Sequence, residues 1–341
     1  MTPTVTMQDV ARAAGVHAGT VSRALNEATR KRVSPDTLRR IDKAVRELGY
    51  TPNPIARSLR TATSRTVGVV IPDLTNPLFP PMIRGIQSVL DEYGYSQLIV
   101  NTDYDPLREQ TGISALVARQ VDGLIVATAR LNDPTFEQLA GSGSRIVMIN
   151  RRPDSPHLDS VTTDDDVGMG LVIGHLAELG HRHILCLAGP QDTSTGAARL
   201  RGYHTAIAAH GLDSDPRLVR ICDTWTAEQG AMRFTAALDR GPSFTAVVAA
   251  TDLIALGCYD AMAARGLSCP ADISVAGYND MPLMDRLAPP LTSVAVPQFD
   301  IGREGARLFF SGLDNPDRLP RTVLLPVSLS VRGSTVKQEV G

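Results

Sequence analysis

The sequence predicts an all-α helix-turn-helix head followed by an α/β body made of two parallel-sheet subdomains. Three observations carry that expectation. The first fifty residues show only helical periodicity and helix caps. From Thr66 onward, short apolar strands of a buried kind alternate with helical patterns. That alternation runs through the chain twice, and strands alternating with helices give parallel sheets covered on both faces.

In the head, Thr6 and Asp9 have the spacing of a capping box and open a helix over about 7–14. Gly15 ends it and turns the chain into a second helix over about 18–26. Ser34-Pro35 then supplies an N-cap and a proline at the first helical position. Leu38, Ile41, Val45 and Leu48 recur at spacings of three and four, so one face of that helix is apolar. Gly49 is its expected stop. Residues 51–65, TPNPIARSLRTATSR, join head to body. Pro52 and Pro54 bracket its start, and IARSLR can make only two helical turns, which are marginal in water without a partner.

The body opens with TVGVVIP, QLIVN, DGLIVAT and RIVMIN as strands, with helical patterns such as MIRGIQSVLDEYG and ISALVARQ between them. HILCLAG, FTAVVAA and ISVAGY repeat the scheme, with helices over about 166–180, 195–211, 226–240 and 252–266. Two runs imply two sheets with a cleft between them, and ligands of such sheets bind beyond the carboxyl ends of the strands. Those ends carry polar or small residues: Asp73 to Asn76, Asn101 to Asp103, Asn150-Arg151, Gly189 to Thr195 and Asn279-Asp280.

Composition narrows the class. Hydrophobic residues make up 43% of the chain and aromatics only 4%, which suits aliphatic α/β cores. No apolar run is long enough to span a membrane, and MTPTVTMQDVARAAGV has no secretory h-region, so a cytoplasmic location is expected. Cys186, Cys222, Cys258 and Cys269 form no CxxC pair and sit in apolar stretches, as reduced core thiols do. The net charge of −2 hides an asymmetry: residues 1–60 hold eleven Lys/Arg against five Asp/Glu, a net of +6, which leaves −8 on the rest. A basic head on an acidic body fits a phosphate-binding module, and an ordinary solvated helical domain fits it equally.

Catalytic and metal chemistry find little support. His181-x-His183, with His175 nearby, stands on a helix-to-strand turn where side chains two apart do not converge on one ion. No GxGxxG follows a strand, and no P-loop or GxSxG occurs. Asp164-Asp165-Asp166 reads as an acidic turn suited to the positive end of a helix. No enzyme activity, metal or cofactor is expected.

As a helix-turn-helix unit, the head would lay its second helix in a DNA major groove. Arg23 can fork onto guanine O6 and N7, and Thr20 and Ser22 can reach phosphates. The same pattern admits a small helical cap docked on the body.

MQDVARAAGVHAGTVSRALN and VSPDTLRRIDKAVRELGYTPNPIARSLRT resemble the lactose and purine repressor family. The resemblance continues through TVGVVIPDLTNPLFPPMIRGI, NTDYDPLREQ, VDGLIVAT, LGHRHI, TGAARLRGY, ATDLIALG, DISVAGYNDMP and PPLTSV, and covers essentially the whole chain in order. It implies a transcription regulator, most simply a repressor, with a periplasmic-binding-protein-like effector body and three crossovers. Ala18, Gly19 and Arg23 then fall where relatives read bases, with His17, Thr20 and Ser22 beside them. Asn53, Ala56, Arg57 and Leu59 fall on a hinge helix that pairs with its copy across the operator centre, the leucine wedging into a minor-groove step. Effector contacts fall at Leu78, Phe79, Thr193, Thr195, Arg199, Trp225, Thr251 and Asn279, with Asn101, Asn150 and Arg151 as neighbours. Phe79 and Trp225 would offer flat faces to a sugar or base, and Arg199 would fork onto hydroxyls or a carboxylate. Trp225 as a bare residue reads as core; its place after the strand-end Asp223 puts it in the pocket.

Several residues depart from the family pattern. His17 stands where many relatives have a capping serine; histidine caps poorly, and Gly19 weakens the same helix start. A base or phosphate contact and a plain exposed turn are both open to His17. The loop Glu27 to Arg32 is about two residues longer than usual and carries Arg30-Lys31-Arg32, either for phosphate contacts or as a solvated loop. Asn279 replaces a frequent Asp, and Thr251 a frequent Asn, so the pocket is less acidic and a sugar acid joins a neutral sugar as a candidate effector. Thr193 replaces an arginine of the purine-binding relative.

The expected domains are 1–50, a linker over 51–65, an N-terminal subdomain of 66–161 with 296–321, and a C-terminal subdomain of 162–291 with 322–334. The helix over about 298–312 should return to the N-terminal subdomain. The tail VRGSTVKQEVG lacks leucine heptads, so a homodimer on pseudopalindromic operator DNA is expected rather than a tetramer. A family member controlled by a protein corepressor, and a solute-binding protein without a DNA role, are the alternatives.

Overall fold

The computed structural model describes residues 5–51 and 63–338, and of Glu27 and Ala28 the backbone alone. The hinge positions Asn53, Ala56, Arg57 and Leu59 lie outside the described residues. Two compact units result, residues 1–64 and 65–341.

The head is built from local capping chemistry. Helix α1 (Met7–Ala14) starts in a complete capping box: Asp9 N–H donates to Thr6 Oγ1, and Thr6 N–H donates back to the Asp9 carboxylate. Gly15 takes the left-handed conformation, φ 62°, that ends α1. Helix α2 (Ala18–Ala24) is shorter than the periodicity suggests. Helix α3 (Glu27–Arg30) is a single turn, so the expected 27–32 loop begins as helix. Helix α4 (Pro35–Leu48) is capped by Ser34 and stopped by Gly49. Val10, Val21, Ala24 and Ile41 are fully buried between the helices, with Ala44 and Tyr50 closing the core. Leu48, expected on the apolar face, is exposed, and Ala44 stands one turn earlier in its place.

In the body, the first subdomain runs β1 (Thr66–Ile71), α5 (Phe79–Tyr93), β2 (Ser96–Asn101), α6 (Pro106–Ala118), β3 (Gly123–Val126), α7 (Thr135–Gly141), β4 (Ile146–Ile149) and β5 (Asp159–Thr163). The second runs α8 (Asp165–Glu178), β6 (Ile184–Ala188), α9 (Ser194–Ala209), β7 (Val219–Ile221), α10 (Ala227–Arg240), β8 (Ala246–Ala249), α11 (Asp252–Ala264), β9 (Ser274–Asn279) and β10 (Thr292–Ala295). Then come α12 (Gln298–Asp314), β11 (Thr322–Leu325) and β12 (Ser328–Ser330).

The first sheet has the order β11-β5-β4-β3-β1-β2, and all its pairs are parallel. The second has the order β12-β10-β9-β8-β6-β7, parallel except for the antiparallel edge pair β10–β12. Strand alternation feeds layers on both sides: Val67, Val69 and Ile71 enter the main core, while Val70 faces the other way against Ile113, Leu116 and Phe136. Helix α12 returns to the first subdomain and packs on α5 at backbone contact distance. A Cβ on Gly302 would lie 1.9 Å from Met82 O, and one on Gly85 would lie 2.0 Å from Phe299 O, so both positions require glycine.

Chain crossings are expected near 161–163, 291–296 and 321–325, and the strands set the subdomain boundaries within those windows, two to four residues beyond 161, 291 and 321. β5 extends to Thr163, β10 belongs to the second sheet, and Thr322–Leu325 pairs with β5 in the first. The three crossings therefore follow Thr163, Ala295 and Leu325. Asp159 explains the docking of β11: it accepts both Nη groups of Arg318, at 2.8 and 2.6 Å, and the Arg321 N–H at 2.9 Å.

Candidate functional site

On the head, α2 presents His17, Gly19 and Arg23 to solvent, with Ala18, Thr20 and Ser22 half-buried. His17 does cap its helix. Its Nδ1 accepts the Gly19 N–H at 3.1 Å, the bond that a serine would make to the backbone. Gly19 is part of that device, because a Cβ there would sit 3.3 Å from His17 Nδ1. Arg23 folds back along its own helix: Nε–H donates to Gly19 O at 3.2 Å and Nη2–H to Thr20 Oγ1 at 3.3 Å. Both acceptors are neutral and both bonds are exposed and long, so the fork is held on the outer face where water can replace them.

The basic tripeptide 30–32 divides. Arg30 donates to Ala24 O and pairs with Asp42 at 2.6 Å, so its charge serves the fold of the head. Lys31 and Arg32 remain exposed. These two, not three, cations are what the segment offers a phosphate.

In the body, the carboxyl ends of the strands converge on two adjoining chambers. An inner one of about 10 Å³ is lined by Asn76, Leu78, Phe79, Asn150, Arg151, Thr195, Arg199, Trp225, Thr251 and Asn279. An outer one of about 160 Å³ adds Thr102, Tyr104, Glu109, Thr128, Arg130, Asp192 and Thr193. Arg151 and Trp225 line both, and the guanidinium lies over the indole at 5.0 Å.

Ten of the eleven sequence-expected effector residues thus meet here. Asn101 does not: its Oδ1 accepts the Leu74 N–H at 2.8 Å and its amide donates to Asp103, so it shapes the loop after β1. Thr193 and Thr251 lie on the walls, but each hydroxyl accepts a helix-start N–H, from Gly196 and from Ile254.

Arg199 differs most from expectation. It is 3% exposed, and its fork is already engaged. Nε–H donates to Asp165 Oδ1 at 3.0 Å, Nη1 to Ala250 O at 2.6 Å and Nη2 to Asn279 Oδ1 at 3.2 Å. The Tyr278 ring covers the guanidinium at 3.7 Å. Arg199 is therefore neutralised within the protein and orients the Asn279 amide, rather than meeting a ligand as a bare cation. The acidic triplet separates into three roles. Asp164 caps α8 by accepting the Val167 N–H, Asp165 balances Arg199, and Asp166 pairs with exposed Arg201. Tyr104 and Tyr278 were not singled out by sequence, Asp165 was read only as part of an acidic helix start, and Asn76 carried a signal as a strand-end residue.

The histidines point to separate partners: His175 to Thr335, His181 to Thr245 and Val336 O, His183 to Asp213. Among the described residues no helix is long and apolar enough to cross a membrane.

Comparison with known proteins agrees with this anatomy. A family model described as bacterial regulatory proteins, lacI family, matches residues 6–53, and one described as a periplasmic binding protein-like domain matches residues 173–335. The HTH-type transcriptional repressor CytR of Escherichia coli (strain K12) is 33% identical over 335 residues, 97% of this chain and 96% of that protein. The HTH-type transcriptional regulator CelR of Thermobifida fusca is 34% identical over 336 residues, 96% of this chain and 98% of that protein. Among solved structures, the lac repressor dimer bound to operator and the anti-inducer ONPF is similar at TM-score 0.86 and 29% identity, over 98% of this chain and 100% of that one. A CelR–cellobiose complex is similar at TM-score 0.74 and 31% identity, over 97% of this chain and 99% of that one. The chain belongs to the lacI family of bacterial regulatory proteins: it is a DNA-binding transcriptional regulator with an effector-binding body, and not an enzyme.

Proposed function

We propose that this regulator represses transcription in the cytoplasm as a homodimer on pseudopalindromic operator DNA, and that a sugar or sugar acid in the body's cleft sets its operator affinity. Arg23 reads a base from the major groove, with His17, Ala18 and Gly19 approaching the same groove and Thr20 and Ser22 near the backbone. Asn53, Ala56, Arg57 and Leu59 act at the operator centre. Similar structures support a carbohydrate ligand: one is a CelR–cellobiose complex, and another is a LacI family regulator from Enterococcus faecium with bound ribose.

One observation carries the regulatory part. The inner chamber holds about 10 Å³, and its walls come from strand ends of both sheets. That is room for about one water. A sugar-sized molecule extends from the outer chamber into the inner one only when the two subdomains change their separation, so occupancy of the inner chamber and closure are linked. Linkage of this kind typically shifts a second affinity by about five- to 150-fold. The test is fluorescence anisotropy of the full chain on its operator, with and without sugars and sugar acids. A ligand that binds the body and leaves operator affinity unchanged refutes the reading.

A further inference from the structure

Arg151 is a buried cation with no direct ion-pair partner among the described residues. It is 6% exposed, and its Nε–H meets no acceptor. The Trp225 ring and the Tyr104 phenol lie against its side chain, Asp192 and Glu109 act on it from a distance, and among the described residues no carboxylate forms an ion pair with it. Burial holds its pKa below the ordinary value, yet an arginine remains charged at any physiological pH. A lone buried charge is a cost to the fold, and such costs are retained where a ligand relieves them. The outer chamber holds more unmet polarity. Thr102 Oγ1 is buried on its wall with no hydrogen-bond partner, and the Thr128 hydroxyl beside it has only the Glu109 carboxyl to bond.

The other charges here are balanced. Arg130 faces Asp192 at 3.7 Å, Arg233 holds Asp223 at 2.6 Å, and Asp165 neutralises Arg199. Glu109 is the remaining acid on this wall, and burial lifts its carboxyl above the ordinary carboxylate range. A carboxyl so shifted takes up a proton more readily than an ordinary one.

We propose that the effector carries a carboxylate, and that Arg151 anchors it in the outer chamber with the Thr102 and Thr128 hydroxyls alongside. This rests on the cleft being the effector site. A planar carboxylate matches the free edge of a guanidinium. One unpaired cation balances a monoanion, whereas a phosphate monoester would bring a second negative charge beside Glu109.

The test is thermal shift and calorimetry of the full chain with matched probes: D-glucose, D-gluconate and D-glucuronate; D-galactose and D-galacturonate; and glucose 6-phosphate. At least one carboxylate should raise Tm while its neutral sugar does not. Arg151→Gln should weaken that carboxylate about tenfold to a hundredfold, and Arg151→Lys should recover only part. Without ligand, Arg151→Gln should melt no lower than the parent, because the lone charge is gone. A neutral sugar as effective as its acid, preference for the phosphate ester, a carboxylate effect that survives Arg151→Gln, or no carboxylate effect at millimolar concentration overturns the proposal. Operator affinity is measured separately. A carboxylate that binds through Arg151 without moving it would overturn the regulatory reading and leave the anchor standing.

Discussion

Asp165→Asn isolates what holds the inner wall of the cleft. Asp165 and Arg199 are 7% and 3% exposed, and their contact is 3.0 Å. Asparagine keeps the shape and removes the charge, so Arg199 stays buried among uncharged partners alone, with the carbonyl of Ala250, the amide oxygen of Asn279 and the face of Tyr278 as before. Removing one partner of a buried ion pair costs about 3–5 kcal/mol. Asparagine can still accept from Nε–H, which restores about 1 kcal/mol. The expected loss is therefore about 2–4 kcal/mol, read from urea unfolding of the body at an unchanged denaturant slope. Adding Arg199→Met to Asp165→Asn should regain part of it, since the stranded cation is then gone. A loss below about 1 kcal/mol, or a double variant less stable than the single one, would show that the carboxylate is not what holds Arg199.

Other consequences are as specific. Arg23→Ala should cut preference for the operator over random duplex by about tenfold to a hundredfold, the value of a forked base contact, and leave nonspecific binding; equal preference in competition binding counts against the assignment. Gly19→Ala should not stabilise the head despite alanine's advantage of up to about 1 kcal/mol in helices. The new Cβ displaces the His17 cap, worth a similar amount, so the same change should stabilise only in a His17→Ala background. Equal effects in both backgrounds would uncouple the pair. Asp252 is fully buried, and burial pushes its carboxyl up to about 7. The folded state then binds more protons than the unfolded one between about pH 4 and 7, so this stabilisation is complete below the unfolded value and is lost as pH rises through 7. Asp252→Asn should flatten that fall, and a difference from the parent that is constant with pH would contradict it.

Features decided within a few residues were legible in the sequence. Thr6 and Asp9, Ser34-Pro35, Gly15 and Gly49 specify their helix ends alone, and each is found where the pattern puts it. The strand-end rule gathered about half of the cleft lining, because a parallel sheet fixes which end of each strand faces the ligand, while Leu78, Phe79, Arg199 and Thr251 came only with the family resemblance. Long-range pairing was hidden. Nothing local distinguishes Asp165 from Asp164 and Asp166; only the fold brings Arg199, 34 residues on, to the middle one. Thr322–Leu325 is a four-residue edge strand whose place depends on the Arg318–Asp159 fork, so its sequence could not tell one sheet from the other. Asn101 followed the strand-end rule but turned into its own loop, because a short amide at such a position bonds backbone before ligand. His17 caps where its type predicts poor capping, since the neighbouring glycine leaves room for the ring.

The central claim is that a basic helical head and a closing cleft are coupled through DNA. Selection of the full chain against random duplexes, followed by anisotropy on the enriched sequence over a range of salt and with the cleft ligand present or absent, tests it most directly. The account predicts a two-fold-symmetric consensus, affinity that falls steeply with salt, and a ligand-dependent change of about five- to 150-fold. No enriched sequence, or an affinity indifferent to a ligand that demonstrably fills the cleft, would contradict it.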